Sequence, residues 1–218
     1  MYKILIVNPV GTNRWDEEDL KIYKSFADPD IEVFVKSLPK GPETVETLDA
    51  YIEAEKETIK FVLENYRYYN GVIVNCFLDP GVEILRRRIG KEIIIIGPAE
   101  ASLSYARFYG NIGILTVGAY EESIELIKTR IRSLGFDKKV MSIRGIPMGV
   151  IDLDKDRDKT LDLMIREAKK MYLENIDVIV LGCTGLAGLA KSLEEKIGIP
   201  VIDPAWATIK MMRTILTR

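Results

Sequence analysis

The chain of 218 residues contains no histidine and no glutamine, and it has only two cysteines. Without histidine, every Ser-His and Cys-His nucleophile arrangement is excluded, together with histidine-based metal sites. Two thiols without histidine partners make a poor zinc site, so we expect no metal ion. The missing glutamine, the scarce asparagine and the many Ile, Glu, Lys and Arg residues are typical of a thermophilic source.

A strong charge of one sign and long apolar runs are lacking as well. The net charge of −2 gives no electrostatic basis for binding nucleic acid or an anionic membrane. No apolar run approaches the ~20 residues that span a bilayer. The opening run is too short for a signal peptide and is interpreted as a first strand. We therefore expect a cytoplasmic protein that contacts neither nucleic acid nor membrane.

Apolar, β-branched runs alternate with segments of helical period along the whole chain. This pattern predicts βαβ units in an α/β fold with parallel sheets, where ligands bind beyond the carboxyl ends of the strands. The predicted strands are residues 3–8, 31–37, 72–75, 93–96, 112–117, 140–143, 178–181 and 201–202. The predicted helices are residues 49–66, 81–89, 99–109, 120–134, 155–173, 186–196 and 205–216. The charged segment 152–158 is interpreted as a solvated helix start.

The two cysteines occupy matching places in two similar halves. Cys76 follows the apolar run 72–75 and Cys183 follows the run 178–182, which is one residue longer. The turn after the first strand, 8–12, also corresponds to segment 115–119 after the strand that opens the second half. We infer a duplication that gives two α/β lobes with a cleft between them. The predicted first lobe is residues 1–97 plus 205–218, and the predicted second lobe is residues 98–204.

A cysteine at a strand-to-helix turn lies near backbone N–H groups and the positive end of a helix dipole, which favours the thiolate. Two such groups facing each other across a cleft, Cys76 and Cys183, are able to remove a proton from one face of a carbon and return one to the other. This is the chemistry of a cofactor-independent racemase, so no cofactor is expected. Two structural interpretations stay open, namely buried core cysteines and a disulfide between them.

Residues beside the cysteines and after the first strand are candidates for contact with a small polar ligand. Asn8 and Thr12 carry hydrogen-bonding groups at the predicted cleft, although a plain βα turn explains them equally well. Thr184 supplies a hydroxyl beside Cys183, and the small residues around it allow close backbone approach. Asp79 is predicted to cap the helix that follows it, with Pro80 at the first helical position. Neither a dinucleotide fingerprint nor a phosphate loop occurs.

The segments NCFLDPG and LGCTGLAG, with NPVGT after the first strand, resemble the aspartate/glutamate racemase superfamily. The resemblance covers essentially the whole chain and is closest to the hydantoin racemase and allantoin racemase branch. It implies two similar doubly wound parallel-sheet lobes related by pseudo-two-fold symmetry, with an active site in the interlobe cleft. It also implies catalytic bases at Cys76 and Cys183. The substrate contacts it implies are Asn8, Thr12, Asn75, Phe77, Leu78, Thr184 and Gly185.

The residues that follow the two cysteines in sequence distinguish the amino-acid racemase branch from the hydantoin racemase branch. Amino-acid racemases of the superfamily typically follow the first cysteine with Asn-Thr and the second with Thr-Glu or Thr-His, whereas Phe77-Leu78 and Thr184-Gly185 stand here. Leu78 replaces the usual glycine of the hydantoin type, which implies a narrowed or reshaped pocket. The resemblance predicts racemisation of a 5-substituted hydantoin-type ring. For partners we expect a small-molecule substrate and a homo-oligomer. The alternatives are an amino-acid racemase, a maleate-type isomerase or a malonate-type decarboxylase of the same fold, and a two-lobed small-molecule-binding protein.

Overall fold

The computed structural model describes residues 1–218 and contains two four-stranded sheets in which every strand pairing is parallel. The first sheet has the order β2-β1-β3-β4 and the second the order β6-β5-β7-β8. The strands are β1 (Tyr2–Asn8), β2 (Ile31–Ser37), β3 (Gly71–Val74), β4 (Ile94–Ile96), β5 (Ile112–Val117), β6 (Val140–Ile146), β7 (Val178–Leu181) and β8 (Val201–Ile202). The predicted α/β fold with two similar lobes is confirmed.

Helices connect the strands and flank both sheets. They are α1 (Asp16–Phe26), α2 (Leu48–Asn65), α3 (Val82–Ile89), α4 (Pro98–Ala106), α5 (Glu121–Ser133), α6 (Arg157–Tyr172), α7 (Ala190–Ile197) and α8 (Pro204–Leu216). Side-chain caps explain several of the starts, because Thr47, Asp156 and Asp203 each accept a hydrogen bond from a first-turn N–H. The C-terminal helix α8 packs against α1 and α4.

The register of the strands shows that the two cysteines are structurally equivalent. Val7 pairs with Val74 in the first sheet, and Leu115 pairs with Leu181 in the second. The next residue on each central strand, Asn75 or Gly182, donates its N–H to the carbonyl of the partner strand, at 2.8 and 2.7 Å. Each cysteine therefore follows its strand by the same number of residues, and the two runs have equal length because the first strand begins at Gly71, one residue earlier than predicted.

The hydrophobic core runs continuously from one sheet to the other. In β1, Ile4 and Ile6 point into a 25-residue buried cluster that also holds Ile114 and Val180 of the second sheet, together with residues of α4 and α8. The alternate residues, such as Leu5, pack on the outer face of the first sheet. Both faces of the strands are buried, which is why the strands are apolar throughout rather than alternating. The shared layer holds the two lobes in a fixed relation.

The structure differs from several predicted bounds, such as those of β6, which extends to Ile146, and of α4, which ends at Ala106, and it differs further in three features described next. Helix α1 was not predicted, because its buried positions include Asp19 and Tyr23 and the helix has no continuous apolar stripe. Helix α7 begins at Ala190, later than predicted, after a 3₁₀ turn over Thr184–Leu186. The expected cap by Asp79 was wrong: α3 begins after Gly81, which has a φ of 79°, and the carboxylate of Asp79 caps α4 instead. No helix is long and apolar enough to span a membrane.

Candidate active site

A cleft of about 120 Å³ lies between the lobes, beyond the carboxyl ends of β1, β3, β5 and β7. Both cysteines line it. From the sequence we expect them at this edge of the sheets, where ligands of parallel-sheet proteins bind. The other predicted site residues that line it are Asn8, Asn75, Phe77, Leu78, Thr184 and Gly185. Thr12 does not reach this cleft and lies in a separate surface depression beside Asn13 and Lys36.

Cys76 and Cys183 are both free thiols and both are partly exposed within the cleft. This arrangement excludes the disulfide interpretation. It also differs from two separate core positions, because both cysteines line the same cleft, and the charges of Glu46 and Asp19 on the first lobe raise the pKa of Cys183 on the second. The two thiols therefore share one electrostatic environment.

Burial of the two cysteines opposes the thiolate preference that the turns predict. Burial raises the pKa of Cys76 to about 12 and that of Cys183 to about 12. The N–H groups of Leu78 and Gly185 lower these pKa values, but by less than desolvation raises them. No α-helix begins directly behind either sulfur, since α3 starts at Val82 and α7 at Ala190, and the dipole effect is confined to the first turn of a helix. Burial therefore opposes ionisation of both thiols.

Two asparagines form the floor of the cleft on the first lobe. The Asn75 amide donates to Asn8 Oδ1 at 2.7 Å, and Asn8 Nδ2 donates to Asp16 and Asp19 at 2.9 and 2.8 Å. Tyr23 donates its hydroxyl to Asn75 Oδ1 at 2.9 Å. Both N–H groups of Asn8 are thus used within the protein. These contacts fix the backbone that leads into Cys76, while a substrate contact by Asn8 or Asn75 stays a prediction.

The loop that carries Cys183 is held from two sides. Thr184 Oγ1 donates to the carbonyl of Asn75 on the other lobe at 3.1 Å. Arg157, at the start of α6, donates to the carbonyls of Gly185 and Ala187, each at 2.9 Å. The segment interpreted as a solvated helix start thus contributes the guanidinium that holds this loop. Hydrogen bonds from a charged guanidinium to backbone carbonyls are stronger than those from a neutral donor, so they favour a single conformation of the Cys183 loop.

One wall of the cleft is apolar and is formed beside Cys76. Phe77 and Leu78 are buried with 2% and 7% of their surface exposed, and Val45, Leu126 and Ile127 line the same cleft. The first two were predicted from the sequence, whereas the others come from a loop and from α5. An apolar wall of this kind is suited to a non-polar part of a small ligand.

The charged residues of the cleft are mostly acidic. Glu18, Asp19, Glu46 and Asp154 line it, and Arg157 is the single cation among the lining residues. Burial raises the pKa of Asp19 to about 7, although the amide of Asn8 opposes this shift. None of these five residues was predicted to belong to the site. Asp19 lies on the unpredicted helix, and Glu46 lies in a loop without a recognisable motif.

The comparisons with known proteins identify the family and the fold. The sequence model of the Asp/Glu/Hydantoin racemase family matches residues 4–212. A hydantoin racemase of Pseudomonas sp. (strain NS671) is 30% identical over 98% of this chain and 86% of its own length. The allantoin racemase structure from Klebsiella pneumoniae is 22% identical, with a TM-score of 0.90 over 100% of this chain and 88% of its own. That from Pseudomonas fluorescens is 24% identical, with a TM-score of 0.91 over 99% and 91%.

The family match covers nearly the whole chain, and the structural likeness extends over both lobes. The family match therefore favours an enzyme over the alternative of a two-lobed small-molecule-binding protein. The structure adds that the two cysteines stand at equivalent strand ends and face one cavity. The chain is an isomerase that belongs to the Asp/Glu/Hydantoin racemase family.

Proposed function

We propose that this isomerase racemises a 5-substituted hydantoin-type ring, hydantoin or allantoin in kind, by proton transfer between Cys76 and Cys183. The observation that carries the proposal is the equivalence of the two cysteines, each the second residue after the end of a central strand and both lining the same cleft. A thiol on each face of one carbon fits a reaction that must run equally well in both directions. The relatives named hydantoin racemase and allantoin racemase support the substrate class.

In the proposed reaction, the thiolate of one cysteine takes the proton from C5 of the ring and becomes a thiol. The C–H electron pair passes to the adjacent carbonyl, which gives an enolate-like state. The thiol of the other cysteine then donates its proton to the opposite face of C5 and becomes the thiolate. Backbone N–H groups of the loop at Thr184 and Gly185 are expected to stabilise the negative oxygen. The next turnover, in the opposite direction, restores the first protonation state, and no cofactor takes part.

The raised pKa of the two thiols favours an acidic substrate carbon. A thiolate of high pKa is a stronger base than an ordinary thiolate, but little of it is present at neutral pH. The C5 proton of a hydantoin is much more acidic than the α-proton of a free amino acid, because the carbanion is delocalised into the ring carbonyl. Proton transfer from such a ring needs no histidine or metal to assist the cysteines.

The charges of the cleft favour a ring over a dicarboxylic amino acid. Aspartate and glutamate carry two carboxylates, which require cationic or N–H partners when they are desolvated. Arg157 is the only cation that lines the cleft, and its guanidinium is already bonded to Gly185 and Ala187. The acidic residues would repel a second negative charge. A neutral ring avoids these costs, and its 5-substituent has the apolar wall at Phe77 and Leu78 to contact.

The test is the loss of optical rotation from single enantiomers of several 5-substituted hydantoins, allantoin and aspartate. We expect kcat/KM for at least one ring compound to exceed that for aspartate or glutamate by about tenfold or more, which corresponds to roughly 1.4 kcal/mol. Faster racemisation of aspartate would overturn the substrate class and leave the two-cysteine chemistry intact. A protein that racemises neither class would refute the proposal.

A further inference from the structure

A loop from the first lobe crosses the cleft and reaches the second lobe. We call residues 38–47, between β2 and α2, the strap. Its beginning is held by Val10 and Gly11, since the Leu38 N–H donates to the Val10 carbonyl at 3.0 Å and the Gly11 N–H donates to the Pro42 carbonyl at 2.9 Å. The strap passes so close to Gly11 that a Cβ there would lie 2.5 Å from the carbonyl oxygen of Gly41. The close approach requires glycine at position 11.

The far end of the strap places the carboxylate of Glu46 against the second lobe. Oε1 of Glu46 accepts a hydrogen bond from the Val150 N–H at 3.3 Å. A Cβ added to Gly118 or Gly149 would lie 3.4 or 3.5 Å from the same oxygen, so the carboxylate sits between these two turns. Glu46 lines the cleft, and its charge raises the pKa of Cys183. Oε2 makes no hydrogen bond within the protein.

The other acidic residues of the cleft are engaged or exposed. Asp19 accepts a hydrogen bond from Asn8 at 2.8 Å, and Asp154 forms an ion pair with Arg157 at 3.6 Å. Glu18 is exposed, and its carboxylate lies 3.7 Å from the ammonium of Lys21. Glu46 has no cationic partner. It is therefore the lining carboxylate without a cationic or side-chain amide partner, and it directly follows Val45, which belongs to the apolar wall expected to contact the 5-substituent.

We propose that Glu46 determines specificity by excluding ring substrates whose 5-substituent carries a negative charge. This inference rests on the proposed function. A carboxylate with no cationic neighbour, held against a backbone N–H at the edge of a partly buried cleft, repels a second carboxylate and accepts neutral N–H donors. The site thus accepts amide or ureido substituents and rejects carboxylate substituents of the same size. Hydrophobic shape alone separates such isosteres poorly.

The experiment compares two nearly isosteric substrates, 5-(2-carbamoylethyl)hydantoin and 5-(2-carboxyethyl)hydantoin, at a pH where the second is ionised. For the wild-type protein we expect kcat/KM to favour the neutral compound by about tenfold or more. Glu46→Gln keeps the size and the acceptor for the Val150 N–H but removes the charge. In this variant, the ratio of kcat/KM for the neutral compound to kcat/KM for the anionic compound should fall about tenfold, because kcat/KM for the anionic compound rises.

Glu122→Gln is the matched control. Glu122 accepts the Leu48 N–H at 2.9 Å and so anchors the residue that follows the strap to α5, but it does not line the cleft. The substrate ratio should stay at the wild-type value in this variant. An unchanged ratio in Glu46→Gln, or an equal shift in both variants, would overturn the inference. If the wild-type protein racemises neither compound nor any other hydantoin, the proposed function fails; if it racemises the neutral compound, the ratio tests Glu46 alone.

Discussion

Thr184 donates its hydroxyl to the carbonyl oxygen of Asn75 at 3.1 Å, although the two residues lie 109 positions apart. Asn75 immediately precedes Cys76, and Thr184 immediately follows Cys183. One hydrogen bond thus joins the two loops that carry the cysteines. Because a proton transfer depends steeply on the distance between donor and acceptor atoms, this bond is well placed to fix the separation of the two thiols.

Thr184→Val should therefore reduce racemisation more than it reduces stability. Valine has nearly the same shape as threonine, so the packing is kept while the hydrogen bond to Asn75 is lost. We expect about 1 kcal/mol less stability in urea unfolding. We expect kcat/KM to fall about tenfold, because the two cysteine loops are no longer joined. Thr184→Ser retains the hydroxyl and should keep most of the activity; equal losses in both variants would show that the hydroxyl does not matter.

The two cysteines should be separable by isotope exchange. Cys76→Ser and Cys183→Ser should each lose racemisation by at least about 10³-fold, because two-sided transfer needs both groups and an alcohol is a much weaker acid than a thiol. Each variant is still expected to exchange the C5 hydrogen of one enantiomer with deuterium from the solvent, and the two variants should prefer opposite enantiomers. Mass spectrometry of each recovered enantiomer measures this. Near-normal racemisation in either variant would eliminate that cysteine as an essential base.

The pH dependence of racemisation should follow the raised pKa of the thiols. Burial raises the pKa of both Cys76 and Cys183 to about 12, so the thiolate fraction increases throughout the range from neutral to alkaline pH. We expect kcat/KM to rise between pH 6 and pH 9, by up to about tenfold per unit. The spontaneous racemisation of the ring must be subtracted at each pH. A flat profile across this range would instead support a preformed thiolate, as the strand-to-helix turn predicts from the sequence alone.

The fold was predictable from the sequence where burial decides the residue types. Strands such as β3 and β7 are apolar throughout because both of their faces are covered. These apolar runs made the strands recognisable in the sequence, and they showed that both cysteines lie at strand ends. Helix α1 was not predicted, because its buried side chains, Asp19 and Tyr23, are held in the interior by hydrogen bonds and form no apolar stripe. Such burial leaves no periodic signal in the sequence.

The candidate site was predictable only in part, for a similar reason. Residues adjacent in sequence to a cysteine, such as Phe77 and Gly185, line the cleft as the motifs indicate. Glu46 reaches it only because the strap folds over Gly11, which depends on contacts between distant segments. The pKa of the thiols also depends on how deeply both lobes bury them. Local sequence carries neither piece of information.

Asp79 and Arg130 form a buried ion pair that links the loop after Cys76 to helix α5. Arg130 Nη2 lies 2.8 Å from Asp79 Oδ2, and the side chains are 10% and 0% exposed. Asp79 also accepts the N–H groups of Ala99 and Glu100 at the start of α4, at 3.0 and 3.2 Å. The carboxylate lies so close to Gly97 that a Cβ there would be 2.2 Å from it. The pair therefore joins three segments at one point.

Arg130→Met should destabilise the protein by about 3–5 kcal/mol near pH 8, because it leaves the carboxylate of Asp79 buried without its cation. Burial already raises the pKa of Asp79 to about 6, with Arg130 opposing the shift, so the variant should have a still higher pKa at this position. A folded-state pKa above the unfolded value means that stability is lost as pH rises through the folded pKa. The destabilisation by Arg130→Met should therefore be smaller at pH 5, where Asp79 takes up a proton, than at pH 8.

Adding Asp79→Asn to Arg130→Met separates the pair from its surroundings. The amide removes the uncompensated charge, so the double variant should be more stable at pH 8 than Arg130→Met alone, and its stability should depend less on pH between 5 and 8. The double-mutant cycle is completed by urea unfolding, at pH 5 and pH 8, of the wild type, Arg130→Met, Asp79→Asn and the double variant. Additive losses would mean that the ion pair contributes no coupling and that Arg130 acts by packing alone. Non-additive losses with this pH dependence would show that the link between the Cys76 loop and α5 is electrostatic.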